Sequence, residues 1–162
     1  MTPERAKAYA MNVLAGRMYT AKEMRDKLMR KSVAPSVISE IIGELTAGEF
    51  INDQLYAENY IIDSANLKGK GLYRIRQELR LKGIPADVIE YAVNQAAVSI
   101  DSKESLKAVI RQRLGSTKFH TYKDLEKFKA KLAYRGYLLS EIRDCLDEMG
   151  IKVEKEENFN EY

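Results

Sequence analysis

One pattern is written three times along this chain, and few folds admit it. The segments "LMRKSVAPSVISEII" from Leu28, "LRLKGIPADVIEYAV" from Leu79 and "LAYRGYLLSEIRDCL" from Leu132 align without a gap. Each sets a base three residues after its leucine (Lys31, Lys82, Arg135), then a small residue (Ser32, Gly83, Gly136), then an apolar one (Val33, Ile84, Tyr137). The small residue suits the left-handed backbone that ends a helix. Ser36, Asp87 and Ser140 then offer oxygen acceptors to the free N–H groups of a following helix, and are the expected N-caps. This is a helix stop followed by a helix start, repeated at a period of roughly fifty residues, and such a period marks a stacked array of small units.

The flanking apolar positions agree. Met24 and Leu28, Ile75 and Leu79, and Phe128 and Leu132 recur at helical spacing. A further amphipathic stretch precedes each pair, over Ala6–Leu14, Leu55–Ile62 and Leu106–Leu114. The expected fold is therefore all-α: three tandem three-helix repeats, about nine helices, forming an elongated curved body with one long concave side. The expected boundaries are 1–51, 52–98 (the basic repeat) and 99–150, followed by an acidic, mobile tail over 151–162 that has few apolar residues to pack. No strand pattern competes.

Little in the composition offers chemistry. His120 is the only histidine and Cys145 the only cysteine, so there is no metal-ligand set of standard spacing and no internal disulfide. His120 falls in the loop "GSTKFHTY" and reads as a solvated polar residue; Cys145 shares a stripe with Ile142, Leu146 and Met149 and reads as a buried thiol. Asp144, Asp147 and Glu148 read as a solvated face, and "KGKGL" lacks the spacing and the preceding strand of a phosphate loop. No catalytic residue, cofactor or metal is expected, and the chain is not expected to be an enzyme. It has no apolar run of the ~18–20 residues a membrane span needs, and its N-terminal segment lacks the apolar core of a signal peptide. A cytoplasmic protein with no membrane partner is expected.

The net charge of +3 is modest, but it is unevenly placed. In "LKGKGLYRIRQELRLKGI", residues 67–84, Lys68, Lys70, Arg74, Arg76, Arg80 and Lys82 stand against the single acid Glu78. The equivalent helix of the first repeat compensates its charges locally, with Glu23 four before Lys27 and Asp26 four before Arg30. In the middle repeat Leu72, Ile75 and Leu79 form the buried stripe, and Glu78 can pair with Lys82 and less favourably with Arg74. Arg76 and Arg80 share a flank with Tyr73 and have no acid within helical reach. Lys68 and Lys70 add charge where the helix dipole disfavours it. Gly69 and Gly71 let the backbone turn tightly or approach a partner closely, or else simply break the chain between two helices. The arrangement favours a surface for an anionic partner over a merely solvated face.

Ten tyrosines and no tryptophan leave two readings open. Tyr56 and Tyr60, or Tyr134 and Tyr137, could stack on unpaired bases; they could equally fill shallow seams between small helices.

With "GEFINDQLYAENYI" opening the second repeat, "KGKGLYRIRQELRLKGI" within it and "KLAYRGY" in the third, the chain resembles the RecX regulatory proteins of bacteria from about Ala6 to Met149. It departs from them at Leu72, where the family often has proline, and in the tail after Gly150. The resemblance implies a non-enzymatic modulator, most often an inhibitor, of the RecA recombinase; a monomer is expected. Such proteins lie in the helical groove of the RecA nucleoprotein filament and affect recombination, ATP hydrolysis and coprotease activity. Single-stranded DNA would be met directly or through RecA. Lys68, Lys70, Tyr73, Arg74, Arg76, Arg80 and Lys82, with Arg135 of the third repeat, are the residues expected to meet RecA or DNA. The alternative is a helical repeat protein that binds nucleic acid independently of RecA.

Overall fold

The computed structural model of the chain describes residues 1–154. Among them it places nine helices: α1 (Pro3–Gly16), α2 (Ala21–Arg30), α3 (Pro35–Ala47), α4 (Asp53–Asn66), α5 (Leu72–Leu81), α6 (Ala86–Ala96), α7 (Ser102–Leu114), α8 (Tyr122–Tyr134) and α9 (Leu139–Glu148). The fold is all-α, as the periodicity requires; among the described residues a β-bridge joins Phe119 and Val153.

The turns after α2, α5 and α8 are what the repeat predicts. Ser32, Gly83 and Gly136 all adopt positive φ, at 57°, 83° and 102°. After the first two, Val33 and Ile84 donate their N–H groups back to Leu28 and Leu79, closing the helix end. The expected caps, however, are corrected. Helices α3, α6 and α9 start two residues earlier than Ser36, Asp87 and Ser140 imply, and their N-cap residues are Ala34, Pro85 and Leu138. Backbone geometry displaces the side-chain signal. Pro35 sits at the first helical position, where its fixed φ fits and its missing N–H costs nothing. At α9 the Leu138 N–H is satisfied from inside the helix by Glu141, at 2.8 Å.

The described residues group into two compact units. Unit 1 contains Met1–Ile61 and Arg76–Ala97; unit 2 contains Ile62–Ile75 and Val98 onward. The middle helices thus divide between them, α4 and α5 each contributing one part to either unit. In unit 1, Ala6, Ala10, Met24, Leu28, Ile38, Ile41, Ile42, Leu45 and Ile51 form a buried cluster. In unit 2, Leu106, Val109, Ile110, Phe119, Leu125, Leu132, Tyr137, Ile142, Cys145 and Leu146 form another. Cys145 is buried within it, and that burial pushes its thiol pKa up, away from a reactive thiolate.

Of the expected mobile tail, residues 151–154 belong to unit 2's surface. Ile151 donates to Leu146, Glu154 donates to Phe119, and Lys118 pairs with the Glu154 carboxylate at 3.2 Å. Residues 155–162 lie outside the described residues.

Candidate functional site

The basic segment enters unit 2 through the loop between α4 and α5. Asn66 ends α4, and Lys70 donates its backbone N–H to Ser64. Gly69 takes a positive φ of 59°, with Val109 so close that an added Cβ would lie 2.5 Å from its methyl. Arg135 grips this loop: its guanidinium donates to the carbonyls of Lys68 at 2.7 Å and Gly69 at 3.2 Å. The Tyr137 hydroxyl donates to the same Gly69 carbonyl at 3.0 Å, and Gly71 donates its N–H to the Arg135 carbonyl. Burial pushes the Tyr137 phenol up to about 12, so the hydroxyl stays a donor across the physiological range.

The two glycines are therefore not placed to admit a foreign partner. At Gly71 a Cβ would stand 2.2 Å from the Gly136 backbone, and at Gly136 one would meet Arg74. The close approach that "KGKG" permits is to the third repeat: to Val109 at Gly69, and to the backbone of "RGY" at Gly71. Arg135, one of the residues expected to meet RecA or DNA, spends at least two of its donors on the loop, and it holds Lys68 and Lys70 on a fixed backbone.

Beyond Gly71, the first turn of α5 sets Arg74 against Tyr134. Its guanidinium lies over the ring, 5.1 Å from the centroid, and donates to the Tyr134 carbonyl at 3.4 Å. Tyr73 is exposed. Arg74, Arg113, Lys131 and Arg135, with Ala130 and Tyr134, line an open cleft of about 470 Å³ in unit 2. Arg113 and Lys131 were not legible as site residues. They sit on α7 and α8, and only the packing of those helices beside Arg74 brings them together.

The remaining site residues lie in unit 1. Arg76 is not uncompensated, as its own helix implies. Its guanidinium is bound by Glu90 of α6 at 2.7 and 3.2 Å, and this hydrogen bond holds the Glu90 carboxyl below the usual carboxylate range. The pair is partly exposed, a setting in which such pairs contribute about 0.2–1 kcal/mol. Arg80 is exposed and makes no side-chain hydrogen bond or ion pair with a described residue, but its charge also reaches Glu90 and helps hold that carboxyl down. Lys82 pairs with Glu23 of α2 at 3.1 Å, and its ammonium lies over both Tyr56 and Tyr60. Burial works against that charge, but Glu23 and Tyr56 outweigh it and the Lys82 pKa is raised. Glu78, expected beside Lys82, accepts the Tyr60 hydroxyl instead. The Tyr56 and Tyr60 rings stack on each other at 6.0 Å, and Tyr56 is buried. For this pair the seam-filling reading holds.

Among the described residues no group of His, Cys, Asp and Glu is arranged to hold a metal, and no helix is long and apolar enough to cross a membrane.

Fold and site together define an all-α protein of tandem three-helix units with a cationic segment built into its middle. Residues 6–45 match the family description "RecX, first three-helix domain" and residues 52–93 match "RecX, second three-helix domain". The chain belongs to the RecX family. It is 33% identical over 133 residues to a regulatory protein RecX of Haemophilus influenzae (strain PittGG), covering 82% of each chain. It is also 33% identical over 151 residues to one of Bacillus pumilus, covering 91% of this chain and 57% of the relative. The chain thus spans little more than half the length of the Bacillus relatives it matches. The crystal structure of RecX from Lactobacillus salivarius superposes with a TM-score of 0.76 at 27% identity, over 91% of this chain and 96% of that one.

Proposed function

We propose that this chain is a non-enzymatic inhibitor of the RecA recombinase, built of repeats 1–51, 52–98 and 99–150, that acts in the cytoplasm on the RecA–single-stranded DNA filament. It would occupy the filament's groove as a monomer and restrain ATP hydrolysis, strand exchange and coprotease activity, and so recombination and the DNA-damage response. The observation that carries this reading is the match to relatives named as regulatory proteins, over four-fifths of both chains in the Haemophilus case. The cations of residues 68–82 supply a physical reason, since a nucleoprotein filament offers phosphate and carboxylate to the same surface.

The test is the DNA-dependent ATPase of the cognate RecA, titrated with this protein. Arg76→Glu is a poor probe, because the new carboxylate would face Glu90. Lys68→Gln combined with Arg80→Gln alters two exposed side chains that make no hydrogen bond or ion pair with a described residue, and places no new carboxylate beside Glu90. The double variant is expected to keep its helical circular dichroism and to need about ten-fold more protein, or above, for the same inhibition. Unchanged inhibition would remove these cations from the mechanism. Equal affinity for DNA with and without RecA, with a steep salt dependence in both, would favour the RecA-independent reading.

A further inference from the structure

Among the described residues, unit 2 carries a cleft whose charged lining is all cationic. Arg74, Arg113, Lys131 and Arg135 line it, and among the described residues Ala130 and Tyr134 complete the lining with no carboxylate. Arg113 and Lys131 are exposed, and neither side chain makes a hydrogen bond or ion pair with a described residue. Four cations gathered around about 470 Å³ repel one another; Arg113 and Lys131 each gain from the C-terminal dipole of their own helix, and Asp124 lines the adjoining cleft with both, but no carboxylate among the described residues lines this one. The volume lies within the roughly 300–1,000 Å³ of small-ligand sites. It suits one nucleotide unit and is far too small for a duplex.

Tyr134 adds the second requirement. It is 78% exposed at the last position of α8, where a side chain that merely filled a seam would be covered. Tyr137, three residues on, is 4% exposed and shows what seam-filling looks like here. Arg74 steadies the Tyr134 ring by lying over it and bonding the backbone beneath it. A cationic groove beside a fixed, exposed aromatic ring is the combination that holds single-stranded nucleic acid: phosphates meet the cations while a base stacks on the ring. An acidic peptide would use the charges but leave the ring idle.

We propose that this cleft binds single-stranded DNA directly, with Arg113 and Lys131 on adjacent phosphates and one base stacked on Tyr134. The inference deepens the functional reading above by assigning DNA, rather than RecA carboxylates, to this face. It is tested without RecA, so that its failure leaves the ATPase result standing.

The probe is a fluorescent oligothymidylate of twenty residues, with an abasic strand of equal length as its partner, titrated by anisotropy at several salt concentrations. Arg113→Gln with Lys131→Gln is expected to flatten the salt dependence of log K by about 1.4, at roughly 0.7 per phosphate contact on a single strand. Tyr134→Ala is expected to weaken the oligothymidylate about ten-fold while leaving the abasic strand unchanged. Circular dichroism of each variant confirms that unit 2 is folded, and Tyr134→Phe, which keeps the ring, restores binding. An unaltered salt slope in the double glutamine variant overturns the phosphate assignment. Equal losses on both strands for Tyr134→Ala overturn the stacked base.

Discussion

Gly71→Ala is expected to destabilise the protein by about 3 kcal/mol or more, because the added methyl has no space to enter. Its Cβ would stand 2.2 Å from the carbonyl carbon and oxygen of Gly136 and 2.5 Å from the Tyr137 nitrogen. These are backbone atoms, and they cannot swing aside as a side chain could. The loop cannot retreat either, since Arg135 and Tyr137 hold it by four hydrogen bonds to Lys68, Gly69 and Gly71. Relief requires breaking that set, so the cost falls on unit 2. Urea or thermal unfolding followed by circular dichroism measures it, and hydrogen exchange should locate it at the 68–71 loop and at residues 135–137. Gly43→Ala is the control. It lies within α3 with nothing within 4 Å of the added methyl, and there alanine should stabilise by roughly 0.5–1 kcal/mol. Equal stabilities for Gly71→Ala and the parent would mean that the two backbones do not cross so closely.

That crossing also marks where a reading of the sequence stops. Helix positions and ends were legible because they are local: apolar residues at period 3.6, and a small residue wherever the backbone turns left-handed. Ser32, Gly83 and Gly136 show the rule working even where the small residue is serine. The N-caps were missed because serine and aspartate near a helix start look alike at the cap and two residues inside it. There Asp87 still lies in the first turn, favourably placed against the helix dipole. The role of Gly69 and Gly71 was half legible. Their spacing announces a close approach, but what approaches, Val109 at Gly69 and Gly136 at Gly71, lies far along the chain.

The site was less legible for the same reason. A helical wheel shows only neighbours on one helix, so Arg76 looked free until Glu90 of α6 was placed beside it. Lys82 looked like the partner of Glu78, yet the turn at Gly83 carries it to Glu23. Arg80 stays exposed, as its flank suggests, but Glu90 of α6 lies near enough to feel its charge too. The cleft of Arg74, Arg113 and Lys131 draws on three helices, and no one segment contains its pattern.

Thr20→Val is expected to cost about 2–4 kcal/mol, the second large effect, and it tests how the repeats are tied within unit 1. Valine matches threonine in shape, so packing changes little and the loss is polar. Thr20 is fully buried and caps α2: its Oγ1 accepts from the Glu23 N–H at 3.1 Å, while Glu23 accepts in return from the Thr20 N–H at 3.0 Å. Losing such a cap costs ~1 kcal/mol. The same hydroxyl donates to the Lys82 carbonyl at 2.7 Å in a part-buried bond, and leaving that carbonyl without its donor costs up to a further ~1–3 kcal/mol. Thr20→Ser keeps both bonds and loses one methyl, about 1 kcal/mol. In urea unfolding the loss for Thr20→Val against the parent therefore reports the hydroxyl, and the loss for Thr20→Ser sizes the methyl. Because Lys82 is the residue before the left-handed turn at Gly83, that hydroxyl joins the start of α2 to the end of α5. Equal losses for valine and serine would mean that packing, and not this bond, holds the first repeat to the basic helix of the second.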